Sequence, residues 1–415
     1  EKKTVNTIRS KPTAHDQASH TTRDGMPGKS LLRSSFLGLI AIIFLFAGCD
    51  DPSTVGMGLV ESQAGDPEVS TLSATLSNSD GLADMTGGTQ QSGAFRALFG
   101  QVDDPVAGPF SMTGVMDFVP GSDVDTAFKV TSVEFAELLL NLDYVYGDTT
   151  LDLTLNVYEV DQAWDAGNAR ADTFIVARSL VTTVTFTPEP GMIRIELPTE
   201  WVNDHDADLR SDSFADEFHG FSFQVSDGNA IGGIHLSSSE LRASSVPGDT
   251  VGFPLSKVLS TSSLQDGPQN SDLFVLRDGA AEAASLNIPI DPDLFGQAAI
   301  HRSILRLDVD DLTGLYPVGF NRPGLAEVGL RAVAEDNETR LDVLEVAVTE
   351  DGPLSFESDA LANILQSANL GNSGLDRFEL YIPNESSTVD FVAIRSGTPQ
   401  NMGPRAIITF TPLNR

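Results

Sequence analysis

From Phe95 onward the chain alternates apolar and polar residues in short runs broken by Gly, Asp and Pro. That period of two is the mark of strands with one face buried. It predicts strands over 131–143, 150–160, 173–186, 192–197 and 220–225. A second set covers 302–309, 326–334, 341–348, 378–382, 389–394 and 406–411. Residues 69–77 alternate as well, whereas 78–93 are rich in Ser, Gly and Thr and read as loop. Tyr146-Gly147-Asp148-Thr149 is a turn signal between two strong strands. Helical periodicity is scarce. Ser358 is placed to cap a helix over 359–368 with Gly371 just past its end, and 199–209 is a weaker candidate.

The two strand sets resemble each other. FAELLLNLD, ending at Asp143, parallels IHRSILRLD, ending at Asp308. LTLNVYEV from Leu153 parallels VGLRAVAE from Val328, and GFSFQVSDGNAIGGIHLSS from Gly220 parallels RFELYIPNESSTVDFVAIRS from Arg377. The starts of the paired segments are 165, 175 and 157 residues apart, so strand order is kept while loops vary. This predicts two copies of one β-domain, one over 94–257 and one over 271–415, joined by a linker at 258–270 and preceded by a tether at 49–93. Under a common register Leu142 corresponds to Leu307, Leu155 to Leu330 and Phe221 to Phe378. The expected fold is all-β: two tandem jelly-roll-like β-sandwiches with few short helices.

One segment breaks the pattern. Residues 36–47 are apolar and uncharged, preceded by Lys29 and Arg33 and followed by Gly48-Cys49. Twelve helical residues span about 18 Å, too short for a bilayer core that takes about 20 residues. A basic segment, an apolar run and small residues before a cysteine predict a lipoprotein signal peptide over 26–48, with lipidation of Cys49. Phe46 stands where such signals usually carry Leu. Residues 1–25 are polar and are read as lying upstream of the natural start at Met26. Cys49 is the only cysteine, so no disulfide forms within one chain. The implied partner is a lipid bilayer, reached through lipidated Cys49.

Charge narrows the partners further. The chain carries 25 Lys+Arg against 59 Asp+Glu. Residues 1–48 hold seven and three of these, leaving 18 basic and 56 acidic residues after the expected cleavage, a net charge of −38. Only Lys129 and Lys257 are lysines in that part. Such a surface repels itself until salt screens it, which fits adaptation to high salt as well as a merely acidic exported protein. Nucleic acid and anionic headgroups are excluded as favourable partners. A polysaccharide or another envelope protein remains open.

Local catalytic motifs are absent. His205, His219, His235 and His301 lie in no two-histidine ligand spacing, and no nucleophile elbow, Walker loop or dinucleotide fingerprint occurs. A triad or carboxylate pair assembled from distant positions would leave no such trace. Three candidates remain. Asp204, Asp206 and Asp208 alternate like the start of a Ca2+ loop, but Leu209 and Ala215 stand where its glycine and closing glutamate belong. Tyr144 and Tyr146 share a face if their strand is regular, as a platform for a sugar ring would; aromatics on strands also pack cores. Trp164 and Trp201 read as core anchors under turns. No cofactor is expected, and the chemistry points to a non-enzymatic binding or structural role, with a carbohydrate-binding or adhesive module and a hydrolase with a dispersed site as alternatives.

Two resemblances bear on this. Cys49-Asp50-Asp51-Pro52 with Val55-Gly56, LFGQVDDPVAGPF from Leu98, AELLLNLDYVYGDTTLDLTLNVYEV from Ala136 and FVLRDGAAEAASLNIPI from Phe274 resemble an uncharacterised family of Bacteroidota outer-membrane lipoproteins. That resemblance spans nearly all of the chain after Cys49, implies an outer-membrane address on the periplasmic or cell-surface face, and supplies no catalytic residue. The order Leu140-Leu142, Val157-Val160 with Trp164, Gly220-Phe221 and 404–410 is similar to jelly-roll modules of extracellular polysaccharide-associated proteins, which implies sugar binding.

Overall fold

The structure, a computed structural model, describes residues 66–412 apart from 79–84, 90–91, 122–123, 167–178, 246–247, 265–271, 279–282, 291–294, 296–297, 335–338, 350–351, 372–374, 384–386 and 397–402. Cys49 and the expected signal peptide lie outside the described residues. No described helix is long and apolar enough to cross a membrane.

Four strands come first: β1 (Glu68–Ser73), β2 (Thr75–Asn78), β3 (Met85–Thr89) and β4 (Ser92–Gly93). Next are β5 (Arg96–Asp104), β6 (Gly108–Phe118), helix α1 (Thr126–Lys129), β7 (Val133–Asp148), β8 (Leu153–Glu159), β9 (Ser179–Phe186) and β10 (Gly191–Glu196). Short helices α2 (Thr199–Asp204), α3 (Asp206–Leu209) and α4 (Phe214–Glu217) lead to β11 (Phe221–Asp227), β12 (Ala230–His235), β13 (Glu240–Ser245) and β14 (Thr250–Leu264). The second half holds β15 (Leu273–Arg277), β16 (Ala284–Asn287), β17 (Ala299–Leu307), β18 (Phe320–Asn321), β19 (Glu327–Ala334), β20 (Arg340–Ala347) and β21 (Leu354–Glu357). It ends with helix α5 (Asp359–Asn369), β22 (Leu375–Tyr381), β23 (Phe391–Arg395) and β24 (Arg405–Thr411).

All pairings among the described strands are antiparallel, and the fold is all-β. The second half is a jelly roll. Its sheets run β1-β24-β17-β21 and β16-β22-β19-β20, which is the order 1-8-3-6 and 2-7-4-5 when these eight strands are numbered along the chain. In the first half β13-β7-β10 and β6-β11-β8-β9 repeat that order strand for strand. The first position is where the copies differ. In the first sandwich it is filled by the C-terminal β14, which pairs with β13 through Thr250–Pro254 and then with β6. In the second it is filled from the N-terminal side, by β1 on β24 and β2 on β16.

Those pairings correct the expected boundaries. Residues 68–78, assigned to the tether, are strands of the second sandwich. The expected linker at 258–270 begins inside β14, whose residues 258–264 are laddered to β6. Ser-rich sequence reads as a linker, but a strand between two neighbours needs backbone groups more than bulky side chains. Leu142 and Leu307 are both fully buried and each faces the sixth-position strand, at Gly191 and Leu354. Leu155 and Leu330 likewise face the seventh, at Val225 and Leu380. Two residues further on, Val157 faces Phe223 while Ala332 faces Phe378. Phe378 is therefore level with Phe223 and not with Phe221. A slip of two keeps the same face inward, so the core survives it.

Each sandwich has its own core. The first is centred on Phe99, Phe118, Leu138, Phe221 and Phe253, the second on Leu286, Leu305, Leu330, Phe356 and Ile408. A third core joins them. Leu98, Phe110, Tyr144, Tyr146 and Ile231 of the first half pack with Leu273, Leu312, Val389 and Phe391 of the second. It sits between two equivalent pairs of added strands, β5–β12 and β15–β23. Helix α5 covers the second core as the sequence predicts: Ser358 Oγ accepts from Leu361 N at 3.1 Å, and Gly371 beyond its end has φ 68°.

Candidate functional site

The duplication makes each half a control for the other. Between β7 and β8 the first sandwich turns in the four residues 149–152, whereas the matching connection between β17 and β19 takes residues 308–326. A structured excursion of that length, where a tight turn suffices, is where binding residues concentrate.

The long loop is held at several points. Asp308 receives Arg405 Nη1 at 2.7 Å, Asp310 receives Arg395 Nε at 2.7 Å, and Leu312 is buried in the third core. Its middle leans on the short turn of the first sandwich. Thr149 N and Oγ1 both donate to Gly319 O at 3.0 Å, and β18 ladders onto Asp148 and Gly147. Gly319 has φ 91°, and a Cβ there would lie 2.4 Å from Thr150 Cγ2, so only glycine fits. The loop thus clamps the two halves together, while Leu315 and Val318 stand exposed at its tip.

Beside this clamp the loop walls a groove of about 480 Å³, within the range of small-ligand sites. Its polar lining includes Asp310, Asp311 and Arg322; Tyr316, Phe320 and Phe391 supply rings. The Arg322 guanidinium lies 4.6 Å from the Phe391 ring centre and 5.5 Å from that of Tyr316. Its Nη2 donates to Phe391 O at 3.1 Å, and its Nε is buried without a hydrogen-bond partner. No described carboxylate lies within ion-pair distance of it, although Arg395, Arg405, Arg302 and Arg331 in the same half of the chain each have one. Asp311 is exposed and accepts from Thr313 N at 2.8 Å; Thr313 holds its carboxyl below the usual range.

The residues singled out from sequence fall elsewhere. Tyr144 and Tyr146 are buried in the third core, at 6% and 0% exposure, which removes them as a sugar platform. Tyr144 donates to Asp390 at 2.8 Å and Tyr146 donates to Asp104. Burial pushes both phenols well above their usual range, and the neighbouring aspartates add to it, so both are neutral donors. Strand alternation put them on one face correctly; what covers that face is the other half of the chain. Asp204, Asp206 and Asp208 do not converge. Asp204 is exposed, Asp206 accepts from Val133 N and Arg210, and Asp208 faces His205. Two short helices splay side chains that a loop would have gathered. Among the described residues no group of three or more His, Cys, Asp or Glu is arranged to hold a metal ion. Trp164 and Trp201 are buried anchors; their indole N–H groups donate to His219 O and Glu159 Oε2.

One further cluster is chemically notable. His205 Nε2 is 3.1 Å from Glu159 Oε2, its Nδ1 is 3.4 Å from Asp208 Oδ2, and its ring lies 4.5 Å from that of Trp201. Burial lowers the imidazole pKa, but the two carboxylates outweigh it and the net shift is upward. With both nitrogens turned to carboxylates, this histidine has none left for a nucleophile, so it is not the base of a triad.

Arg322, Tyr316 and the groove were not singled out from sequence. The signal was present, because the distance between paired segments jumps from 165 to 175 across this loop.

Comparison with known proteins adds little. No model of a known protein family matches the chain, and no curated protein matches it. A solved structure from Parabacteroides distasonis, described as a candidate secreted protein, aligns over 83% of this chain and 99% of its own, at 9% identity and a TM-score of 0.20. A likeness that low carries no argument about fold or function.

Proposed function

We propose that this is a lipid-anchored envelope protein that captures a ligand outside the cytoplasm, without covalent chemistry, in the groove walled by residues 308–326. The observation that carries the reading is the asymmetry between the copies. One sandwich connects its third and fourth strands in four residues; the other spends a long, anchored loop on the same connection and lines a groove with it. The first copy makes the same connection without such a loop, and the groove wall is what the second copy's loop provides beyond its clamp on the first half. The anchor rests on Cys49 and the apolar run 36–47. Eighteen residues lie between Cys49 and Glu68, at which β1 begins, and the nineteen backbone steps reach at most about 68 Å when fully extended. The second sandwich is thus the one tied to the membrane, on the outer-membrane face that the acidic residues after Cys49 favour.

Gly324 provides the test. It lines the groove, and a Cβ built there meets nothing within 4 Å. Gly324→Trp therefore fills the groove without straining the fold. The variant is expected to melt like wild type and to lose binding to whichever member of a saccharide and peptide panel the wild type retains. Retained binding would move the ligand elsewhere. The anchor is tested separately: Cys49→Ser should release the protein from the membrane, and an unmodified Cys49 in the wild type would contradict it.

A further inference from the structure

Asp+Glu outnumber Lys+Arg by 59 to 25 in this chain, so a basic side chain seldom lacks an acidic neighbour. Arg96 has Asp143, Arg210 has Asp206, Lys257 has Asp117 and Arg395 has Asp310. Arg322 has no such partner among the described residues, although two aspartates line the groove with it. Asp310 is taken by Arg395 at 2.7 Å, and Asp311 is turned to Thr313. The guanidinium lies over the Phe391 ring, 4.6 Å from its centre, with Tyr316 at 5.5 Å, and a guanidinium makes its hydrogen bonds in its own plane. Its Nε has no acceptor, and its one hydrogen bond is spent on a backbone carbonyl. A guanidinium with no carboxylate partner, and only Nη2 bonded to a backbone carbonyl, is the natural complement of a carboxylate, which accepts two parallel bonds from such a fork. A neutral hydroxyl offers one weaker bond and leaves the charge uncompensated.

A carboxylate alone does not complete the groove. Asp311 keeps an exposed, ionised carboxylate at the same wall, which accepts from Thr313 N and offers further lone pairs to a ligand's donors. Tyr316, Leu325 and Val392 supply apolar surface between these polar groups. The matching ligand carries an anionic acceptor, hydroxyl donors and an apolar C–H face in one compact ring. Deepening the reading of the groove as a ligand site, and resting on it, we propose that Arg322 and Asp311 bind a uronic acid unit of an extracytoplasmic polysaccharide, with Arg322 on the sugar carboxylate and Asp311 on its hydroxyls.

The protein's net negative charge opposes a polyanion at long range. At 0.1 M salt the Debye length is about 10 Å, so this repulsion is screened while the direct Arg322 contact is not. Binding should consequently strengthen from about 10 mM to 150 mM NaCl, opposite to the usual behaviour of an arginine–carboxylate contact at a basic site.

The experiment is calorimetric titration of the full-length protein in detergent with galacturonate and glucuronate oligosaccharides, their methyl esters and the matching neutral hexose oligomers at 150 mM NaCl. Wild type is expected to prefer the free acids by at least about tenfold. Arg322→Gln should abolish that preference, and Arg322→Lys should keep part of it, since a point charge replaces the fork. Asp311→Asn, on an exposed side chain, guards against a folding artefact and should weaken the acids and the neutral sugars alike. Equal affinity for acids and neutral sugars, still lost in Gly324→Trp, would overturn the uronate assignment and leave the groove standing. Binding of acids that Gly324→Trp does not touch would overturn both, as would a wild type that binds none of these sugars and an Arg322→Gln variant indistinguishable from it in every ligand assay.

Discussion

Replacing Tyr146 with Ala separates a tyrosine that joins two domains from one that holds a ligand. The ring is fully buried, with Phe320 at 5.7 Å, Phe110 at 6.0 Å and Phe391 at 6.5 Å between ring centres, so it touches loop, first half and second half at once. Truncating a buried aromatic costs about 3–5 kcal/mol in transfer and cavity free energy. Loss of the hydroxyl adds to this, because Tyr146 is the donor to Oδ2 of the buried Asp104 carboxylate, whereas Val106 N, Ala107 N and Tyr316 all donate to its Oδ1. If the compact body of residues 64–415 unfolds as one unit, its 352 residues at an entropy of about 2.1 cal/mol/K each convert 4 kcal/mol into a fall of about 5 °C in Tm. The cost falls on the third core and not on the two sandwich cores, so the expected calorimetric trace is one transition in wild type and two in the variant. A variant that loses less than about 1 kcal/mol and keeps a single transition would refute the assignment of Tyr146 to the junction.

Burial raises the Asp390 carboxyl to about 6, with Asp278 adding to it and the Tyr144 hydrogen bond opposing. A raised folded pKa gives stability that is complete below the unfolded value near 3.9 and is lost as pH climbs through about 6. Asp390→Asn should flatten the stability profile between pH 4 and 7, and an unchanged slope in urea titrations would count against it. His205 is also raised, by Glu159 and Asp208 against its burial, so its contribution is present below about pH 6.5 and lost on alkaline titration. His205→Ala should destabilise more at pH 5.5 than at pH 9; equal costs at both would remove the ion pairs from the account. A chain lacking residues 1–78 should fail to protect the second sandwich from hydrogen exchange while the first stays protected, and a peptide of residues 66–78 should restore it. Full protection without the peptide would contradict the pairing of β1 with β24. Finally, the body after Cys49 should melt higher as NaCl approaches 1 M, where the Debye length is about 3 Å; a flat or falling Tm would count against screening of its negative charge.

Strand positions were legible because alternation writes one face of each strand into the sequence, as in Leu153, Leu155 and Val157 of β8, all fully buried. The duplication was legible for the same reason. What alternation does not encode is the partner that covers a face. Tyr144 and Tyr146 were correctly set side by side, yet nothing local says that Phe391 and Val389 lie over them. Nor does it encode which strand fills a slot, so Glu68–Asn78 read as tether although its closest neighbours lie more than 200 residues away. Arg322 escaped because its significance is the lack of a partner, a property of three-dimensional neighbours alone.

The proposed function makes the second copy's long loop the binding element and the first copy's turn its inert counterpart. Hydrogen exchange of the full-length protein, with and without saturating uronate oligosaccharide, tests both in one measurement. Residues 309–325 and the facing backbone at Phe391 and Val392 should gain protection, while Tyr146–Leu153 of the first copy should change only where it contacts Gly319. Protection confined to the first copy's turn, or to the outer face of either sandwich, would contradict the account.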